Sequence, residues 1–265
     1  MTASVKIAIL GLGETALEFA YALKQAGADV SGYDATKPKH PPIPVAESAE
    51  IAVADADVVL SINSSAGSIR VAESVANALK SGAVYADLNS GTPSLKRKLA
   101  EVLPADSFVD AAVMPAPQAA GQQWRLSVSG AGAERFIEAM AEYGMGLEFV
   151  SQQAGDATTR RLLRDLMDKG ISSVLADTLW AAKALGLGDW AIEEIKNEFS
   201  ASSAVTVQSY LDETGKNPKR RSVEVGDISE VLAEAGYEST MLNGMGLTFS
   251  HIMHGRRIPF ADLAE

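Results

Sequence analysis

Two glycines and an alanine stand close together near the start of the chain, directly after an apolar run. Gly11, Gly13 and Ala16 form the pattern G-x-G-x-x-A between VKIAIL and a helix-like segment. In such a turn the first glycine permits a tight bend, and the second lets backbone N–H groups approach phosphate. The small third residue packs the helix against the strand, and the positive helix end faces the phosphates. The spacing therefore predicts a dinucleotide site rather than an ordinary turn.

An acidic residue at the end of the next apolar run extends this pattern. Asp34 follows Gly13 by about 20 residues, the interval expected for a carboxylate that binds the cofactor ribose. Such a carboxylate accepts both ribose hydroxyls and repels a 2′-phosphate, which favours NAD over NADP. Lys37 and Lys39 follow closely and would bind a 2′-phosphate if Asp34 turned away. The cofactor is therefore expected to be NAD or NADP, with NAD slightly favoured.

Polar residues at the ends of the predicted strands are further candidates for cofactor contacts, because such loops form the ligand crevice of an open α/β sheet. The predicted cofactor-binding residues are Gly11, Leu12, Gly13, Glu14, Thr15, Asp34, Asn63, Ser64, Ser65 and Asn89. The Glu14 side chain is expected to point to solvent, and capping the helix is an alternative role for Thr15. For Asn63, Ser64 and Ser65 the alternative is a polar turn.

Up to about residue 150, short apolar runs alternate with helix-like segments. The predicted strands cover residues 5–10, 29–34, 56–63, 82–89, 107–113 and 124–130. Helices are predicted between them, for example at 14–27, 69–82 and 93–103. This alternation predicts a mostly parallel, doubly wound sheet with helices on both faces, as in Rossmann-like domains.

Strand signals almost vanish after residue 150. The remaining chain has helical patterns over residues 152–186, 189–213, 219–236 and 238–255. We therefore predict an α/β fold in which a Rossmann-like domain (1–150) binds the cofactor. An all-α domain (151–265) would close the substrate site and form a homodimer.

Composition narrows the class of protein further. The 265 residues are 47% hydrophobic and 22% charged, which is typical of globular proteins. The absence of cysteine excludes disulfides, thiolate catalysis and Cys-ligated zinc. A net charge of −11 argues against binding to nucleic acid or to an anionic membrane. No apolar run reaches the roughly 18 residues that span a bilayer, and the N-terminus lacks a signal-peptide layout. A cytoplasmic protein with a small-molecule substrate is expected.

A metal site is not expected from this sequence. His251 and His254 form H-x-x-H on a late helical segment, but no acidic-histidine motif accompanies them. A substrate contact or a contact with the helix C-terminus is an alternative role for these histidines.

Four stretches together resemble the β-hydroxyacid dehydrogenase superfamily, which includes 6-phosphogluconate and 3-hydroxyisobutyrate dehydrogenases. The chain is similar in particular to short members with a 6-phosphogluconate-dehydrogenase-like helical C-terminal domain. The stretches are GLGETA (11–16), YADLNSGTPSLKRKLA (85–100), FVDAAVMPAP (108–117) and AGDATTRRLLRDLMDKG (154–170), with a weaker match in RRSVEVGDISEVL (220–232). The resemblance implies an NAD(P)-dependent oxidoreductase that moves hydride between nicotinamide and a small hydroxy or keto acid.

The resemblance also implies roles for individual residues. It places Ser90 beside the nicotinamide and residues 110–117 around the substrate. The predicted catalytic residues are Arg161, Asp165 and Ser90, and the predicted substrate-binding residues are Ala112, Val113, Met114 and Arg164. Arg161 stands where the superfamily has its catalytic lysine. Because arginine side chains keep their proton, Arg161 would bind or polarise the substrate while another group or water transfers the proton.

The departure at Arg161 leaves alternative interpretations open. Arg161 with Asp165, and Arg164 with Asp168, are spaced i,i+4 and could be surface ion pairs worth about 0.3–0.5 kcal/mol each. Relatives that reduce imines also lack the lysine, so an imine reductase is a second possible function. A nucleotide-binding protein without catalytic activity is the third.

Overall fold

The computed structural model describes residues 4–36, 43–114, 124–201 and 204–258. The chain divides into two compact units, Met1–Asp165 and Leu166–Glu265. The first unit is built on one sheet covered by helices, and the described part of the second contains helices alone. The predicted fold class, a Rossmann-like α/β domain followed by an all-α domain, is confirmed. The division of function at about residue 150 stays a prediction.

Seven strands of the described chain form one sheet in the order β2-β1-β3-β4-β5-β6-β7. All neighbouring strands are parallel except β5 and β6, which are antiparallel. The strands are β1 (Lys6–Leu10), β2 (Asp29–Tyr33), β3 (Val58–Ser61), β4 (Val84–Asp87), β5 (Phe108–Met114), β6 (Trp124–Ser129) and β7 (Met145–Ser151). The first six agree with the predicted strands to within a few residues, and β7 is an additional strand.

Helices cover both faces of this sheet in the first unit. They are α1 (Glu14–Gln25), α2 (Ala49–Val53), α3 (Ser68–Val75), α4 (Pro93–Val102) and α5 (Ala133–Met140). In β1, Ile7 and Ile9 belong to a buried cluster that includes α1 and α5, whereas Ala8 and Leu10 belong to the cluster with α2, α3 and α4. Alternate side chains of a strand point to opposite faces, so each short apolar run supplies both cores.

The strand order reverses beside β1, and this reversal defines the crevice of the sheet. β1 lies between β2 and β3, so the chain leaves β1 toward one side and later returns to its other side. In open α/β sheets, ligands bind outside the carboxyl ends of the strands at such a switch point. The turns after β1 and β3 therefore border this crevice, and the turn after β4 lies beside them.

The described helices that follow the sheet are α6 (Asp156–Ala184), α7 (Gly188–Ala201), α8 (Ala204–Lys216), α9 (Pro218–Glu234) and α10 (Thr240–Met253). They agree with the predicted helical stretches to within a few residues, and α7 and α8 together correspond to the stretch predicted at 189–213. Within the second unit, α10 packs against α9. The described part of the chain has no helix that is both long and apolar enough to cross a bilayer.

Candidate cofactor and substrate site

The turn after β1 requires glycine at its first position. Gly11 has a φ of +90°, a left-handed conformation that favours glycine, and its N–H donates to the Tyr33 carbonyl at 2.9 Å. A Cβ atom on Gly11 would collide with the carbonyl oxygen of Ile62, at the end of β3. The absence of a side chain therefore lets the turn lie against the neighbouring strand end.

Gly13 differs, because a Cβ atom added there would meet no atom within 4 Å. Gly13 is the N-cap of α1 and supplies no side-chain hydrogen bond to the first helical turn. Because Gly13 is the N-cap, Thr15 does not have that role. Glu14 and Thr15 are both exposed. This uncapped, open helix terminus fits a dinucleotide, whose phosphates would accept from its backbone N–H groups.

Asp34 supports this turn from the end of β2. Its carboxylate accepts the Leu12 N–H at 2.7 Å, the Thr36 N–H at 2.7 Å and the Thr36 hydroxyl at 2.6 Å. Burial opposes ionisation, but the hydrogen bonds from Thr36 and Leu12 outweigh it and hold the pKa of Asp34 below its ordinary value. The half-buried carboxylate is thus ionised at neutral pH and is joined to the glycine turn.

The ends of β3 and β4 are connected by amide side chains. The Asn63 N–H donates to Oδ1 of Asn89 at 2.6 Å, and Nδ2 of both asparagines donates to the Ser61 hydroxyl. Asn89 is buried, whereas Asn63 and the following Ser64 and Ser65 are exposed at the crevice. The strand-end residues predicted from sequence therefore lie together and present polar groups beside the glycine turn.

Arg161 and Ser90 are brought together although 71 residues separate them in sequence. Nη1 of Arg161, in the second turn of α6, donates to the Ser90 hydroxyl oxygen at 3.2 Å. Ser90 follows Asn89 after β4 and is exposed, and Arg161 is half-buried. A guanidinium at this position can hold a carboxylate or polarise a carbonyl through paired N–H groups.

The other predicted substrate residues have different environments. Ala112 is buried, whereas Val113 and Met114 at the end of β5 are half-buried. Arg164 lies 3.9 Å from the carboxylate of its neighbour Asp165. Lys37, Lys39 and residues 115–117 lie outside the described residues. The substrate roles predicted for all of these positions stay predictions.

A buried charged cluster beneath the strand ends was not identified from sequence. It contains Lys96 of α4, Asp87 of β4 and Asp110 of β5, and each is at most 1% exposed. Lys96 shares the buried face of its helix with Leu99, and the C-cap residue Leu103 is also buried, so the three have the spacing i, i+3 and i+7. That spacing is the signal that could have placed a lysine in the interior.

The histidine pair has no metal-binding partners among the described residues. Nδ1 of His254 lies 2.7 Å from the carbonyl oxygen of Ser250 within the same helix. The described ranges also contain no group of three or more His, Cys, Asp or Glu side chains that could hold a metal ion.

Solved structures share this architecture across almost the whole chain. An imine reductase from Myxococcus stipitatus in complex with NADP⁺ is 19% identical, with a TM-score of 0.75 and coverage of 94% of each chain. A conserved hypothetical protein from Sinorhizobium meliloti is 25% identical, with a TM-score of 0.60 and coverage of 98% of this chain and 93% of the other.

A curated relative is an uncharacterized 28.5 kDa protein of the 7S RNA 5′ region of Methanothermus fervidus, 22% identical over 76% of this chain and 77% of its own. Residues 6–143 match the family model described as the NAD-binding domain of 6-phosphogluconate dehydrogenase. This match includes the glycine turn, Asp34 and both asparagines of the crevice. It confirms the predictions of the superfamily, of an NAD(P) cofactor and of an oxidoreductase type. The chain belongs to the 6-phosphogluconate dehydrogenase family through its NAD-binding domain.

Proposed function

We propose that the protein transfers hydride between a nicotinamide cofactor and a small hydroxy or keto acid. The observation that carries this proposal is the contact between Arg161 and Ser90 beside Asn63 and Asn89. Asn63, Asn89 and Ser90 stand at the carboxyl ends of β3 and β4, next to the turn that fits the phosphates. Arg161 contacts Ser90 from α6. A guanidinium there suits a substrate with a carboxylate or a carbonyl oxygen.

Different residues of the site would bind different parts of the cofactor and the substrate. The N–H groups at the start of α1 would hold the pyrophosphate, and Asp34 would accept the ribose hydroxyls. Asn63 and Ser90 would orient the nicotinamide half and the substrate. The bound cofactor supplies the hydride chemistry, whereas the protein supplies orientation and electrostatics. Arg161 would hold the substrate oxygen and stabilise negative charge on it, and water or another group would give that oxygen its proton or take it away.

A second candidate function is imine reduction, and it is favoured because position 161 holds a side chain that does not exchange its proton. A keto acid needs both hydride and a proton, but arginine does not exchange its proton readily. A protonated imine already carries its proton on nitrogen, so hydride transfer to its carbon gives the amine without a protein acid. The imine reductases of similar fold support the same alternative for this chain.

Cofactor titration is the first test of the proposed function. NADH and NADPH are added to the purified protein and their fluorescence is followed. Saturable binding of at least one is expected, and no binding at millimolar concentration would contradict the proposal. Turnover is then measured on a panel of hydroxy acids, aldehydes and cyclic imines. Binding without turnover on any of them would support the nucleotide-binding protein without catalytic activity.

The role of Arg161 is tested against its neighbour. Arg161→Ala should lower kcat/KM for the best substrate of the panel by about tenfold or more, because a charged hydrogen bond to substrate is lost. Arg160→Ala is the matched control, since Arg160 pairs with Glu148 at 2.7 Å and is half-exposed. Equal, small effects of the two substitutions would place Arg161 among surface ion pairs.

NAD is the proposed cofactor, since the ionised Asp34 would repel a 2′-phosphate. Asp34→Asn removes the charge and retains an oxygen that accepts the Leu12 N–H. The ratio of NADPH to NADH affinity should therefore rise, by about tenfold for 1.4 kcal/mol of relieved repulsion. Asp29→Asn, at an exposed position of the same strand, should leave the ratio unchanged. An unchanged ratio in Asp34→Asn would mean that the 2′ end is recognised elsewhere.

The predicted homodimer also belongs to this proposal. Most of the large apolar side chains that are exposed among the described residues lie in the helical unit, including Trp180, Trp190 and Leu166. A second copy of the same helices would bury them. A cytoplasmic location stays a prediction.

A further inference from the structure

The buried ammonium group of Lys96 donates three hydrogen bonds to other residues of the protein. Its Nζ donates to Oδ2 of Asp87 at 2.6 Å, to the Asp87 carbonyl at 3.1 Å and to the Asn89 carbonyl at 2.9 Å. Nζ also lies 3.4 Å from Oδ1 of Asp110. All three N–H donors of Lys96 thus hold the end of β4. Its positive charge also lies close to the Asp110 carboxylate on the neighbouring strand β5.

The cluster continues from Asp110 into the first turn of α6. Oδ2 of Asp110 accepts the Thr158 N–H at 2.9 Å, and Oδ1 accepts the Thr158 hydroxyl at 2.7 Å. Arg161 follows Thr158 by three residues, about one helical turn. The same cluster therefore holds the Asn89 side of the crevice and the helix that carries Arg161.

Charge balance couples Lys96 and the two buried carboxylates to the start of α6. One ammonium faces two buried carboxylates, so the cluster carries excess negative charge when all three groups are ionised. The positive N-terminus of α6, with the Thr158 N–H aimed at Asp110, offsets part of that excess. Buried ion clusters add little net stability compared with apolar packing, so a gain in specific geometry is the better reason for this one.

We propose that Lys96 is a positioning residue of the cofactor and substrate site. Through the Asn89 carbonyl it sets the amide that meets Asn63, and through Asp110 it sets the start of α6 and hence Arg161. This inference rests on the proposed function, because it requires the nicotinamide to lie at these strand ends. Lys96 itself is buried and would touch neither cofactor nor substrate.

Binding of NADH and of ADP-ribose is compared in order to distinguish a positioning role of Lys96 from general destabilisation of the protein. ADP-ribose carries the adenosine and pyrophosphate parts that the glycine turn and Asp34 would hold, but it lacks nicotinamide. In Lys96→Met the Kd for NADH should rise by about tenfold or more, while the Kd for ADP-ribose changes less than about twofold. If NADPH binds more tightly, it is used with 2′-phospho-ADP-ribose. Lys98→Met, at an exposed position of α4, should leave both constants unchanged.

Removing Lys96 alone leaves two buried carboxylates, so a second variant guards against loss of folding. Lys96→Met combined with Asp87→Asn retains one carboxylate facing α6 and should give the same selective loss of NADH binding. Equal weakening of both ligands in both variants would overturn the inference and make Lys96 structural only. If the wild-type protein binds neither NADH nor NADPH, the proposed function falls and this inference falls with it.

Discussion

Gly11 and Gly13 have separate tasks in the turn after β1. Gly11 is needed by the fold, because its φ is +90° and a Cβ atom would collide with Ile62. Gly13 faces open space, which the proposed pyrophosphate would occupy. The two glycines therefore allow folding and binding to be tested one position at a time.

Gly11→Ala should lower the free energy of unfolding by about 2–4 kcal/mol, from the strained φ and the collision. Gly13→Ala should cost below about 1 kcal/mol and yet raise the Kd for NADH by about tenfold, because its methyl group fills the ligand space. Denaturant unfolding and NADH titration of both variants provide the measurements. If Gly13→Ala binds NADH like the wild type, the pyrophosphate lies elsewhere.

Residue spacing predicted one half of the site better than the other. The glycine turn and the polar strand ends follow from local pattern, since each sits directly after an apolar run. Lys96 follows Asp87 by nine residues, but Asp110 belongs to the next strand, and only the pairing of β4 with β5 brings it to them. A lysine in a helical segment is usually exposed, so its burial is predictable only when its position is compared with the apolar face of that helix.

At the scale of elements, segments with a strong apolar pattern were predictable, even short ones, and weakly patterned segments were not. β1 and β3 are nearly continuous apolar runs because parallel strands are buried on both faces. β7 is an edge strand, is mostly half-buried and has the weaker pattern MGLEFVS. The helix α2 has only five residues, too few to show a helical period, and it gains its stability from packing against the sheet.

The Asp177 carboxylate joins α6 to the turn between α9 and α10. It accepts the Tyr237 hydroxyl at 2.7 Å and also the Ser239 hydroxyl, and Ser239 is the N-cap of α10. Burial raises its pKa, but hydrogen bonds from Ser239, Tyr237 and two backbone N–H groups outweigh this and lower the pKa below its ordinary value of 3.8. In turn, the bond to Asp177 and partial burial raise the pKa of Tyr237 to about 12.

These two shifts predict a stability that falls at both ends of the pH scale. A lowered carboxyl pKa stabilises the fold above pH 3.8, and the contribution is lost as pH falls further. A raised tyrosine pKa stabilises it below pH 10.0, and the contribution is lost as pH rises from 10.0 to about 12. Asp177→Asn should lower the free energy of unfolding at pH 7 by about 1–3 kcal/mol and flatten both slopes.

Helical circular dichroism during denaturant unfolding, repeated across pH, measures these slopes. Asp189→Asn is the control, because Asp189 is exposed in the first turn of α7. If Asp177→Asn and Asp189→Asn give the same pH profile, the Asp177 cluster does not stabilise the helical unit.

The whole molecule combines a sheet with filled cores and a helical unit with large exposed apolar side chains. Trp180 and Trp190 are 61% and 63% exposed, and Leu166 is 72% exposed. Single exposed apolar residues are common on protein surfaces, but for so many within one unit we expect a surface that another chain covers. The net charge of −11 would oppose association, so burial of apolar area must exceed that repulsion.

We therefore expect a homodimer, with a native mass twice the chain mass of 27.8 kDa in sedimentation experiments at micromolar concentration. The melting temperature should rise with protein concentration, because association stabilises the folded chain by mass action. Trp190→Lys should weaken association by about tenfold or more, since it places an unpaired charge in an apolar contact. Tyr21→Lys, at a 58% exposed position of α1, should leave the mass unchanged. A monomer whose melting temperature does not depend on concentration would contradict the dimer, and the exposed helices would then need another partner.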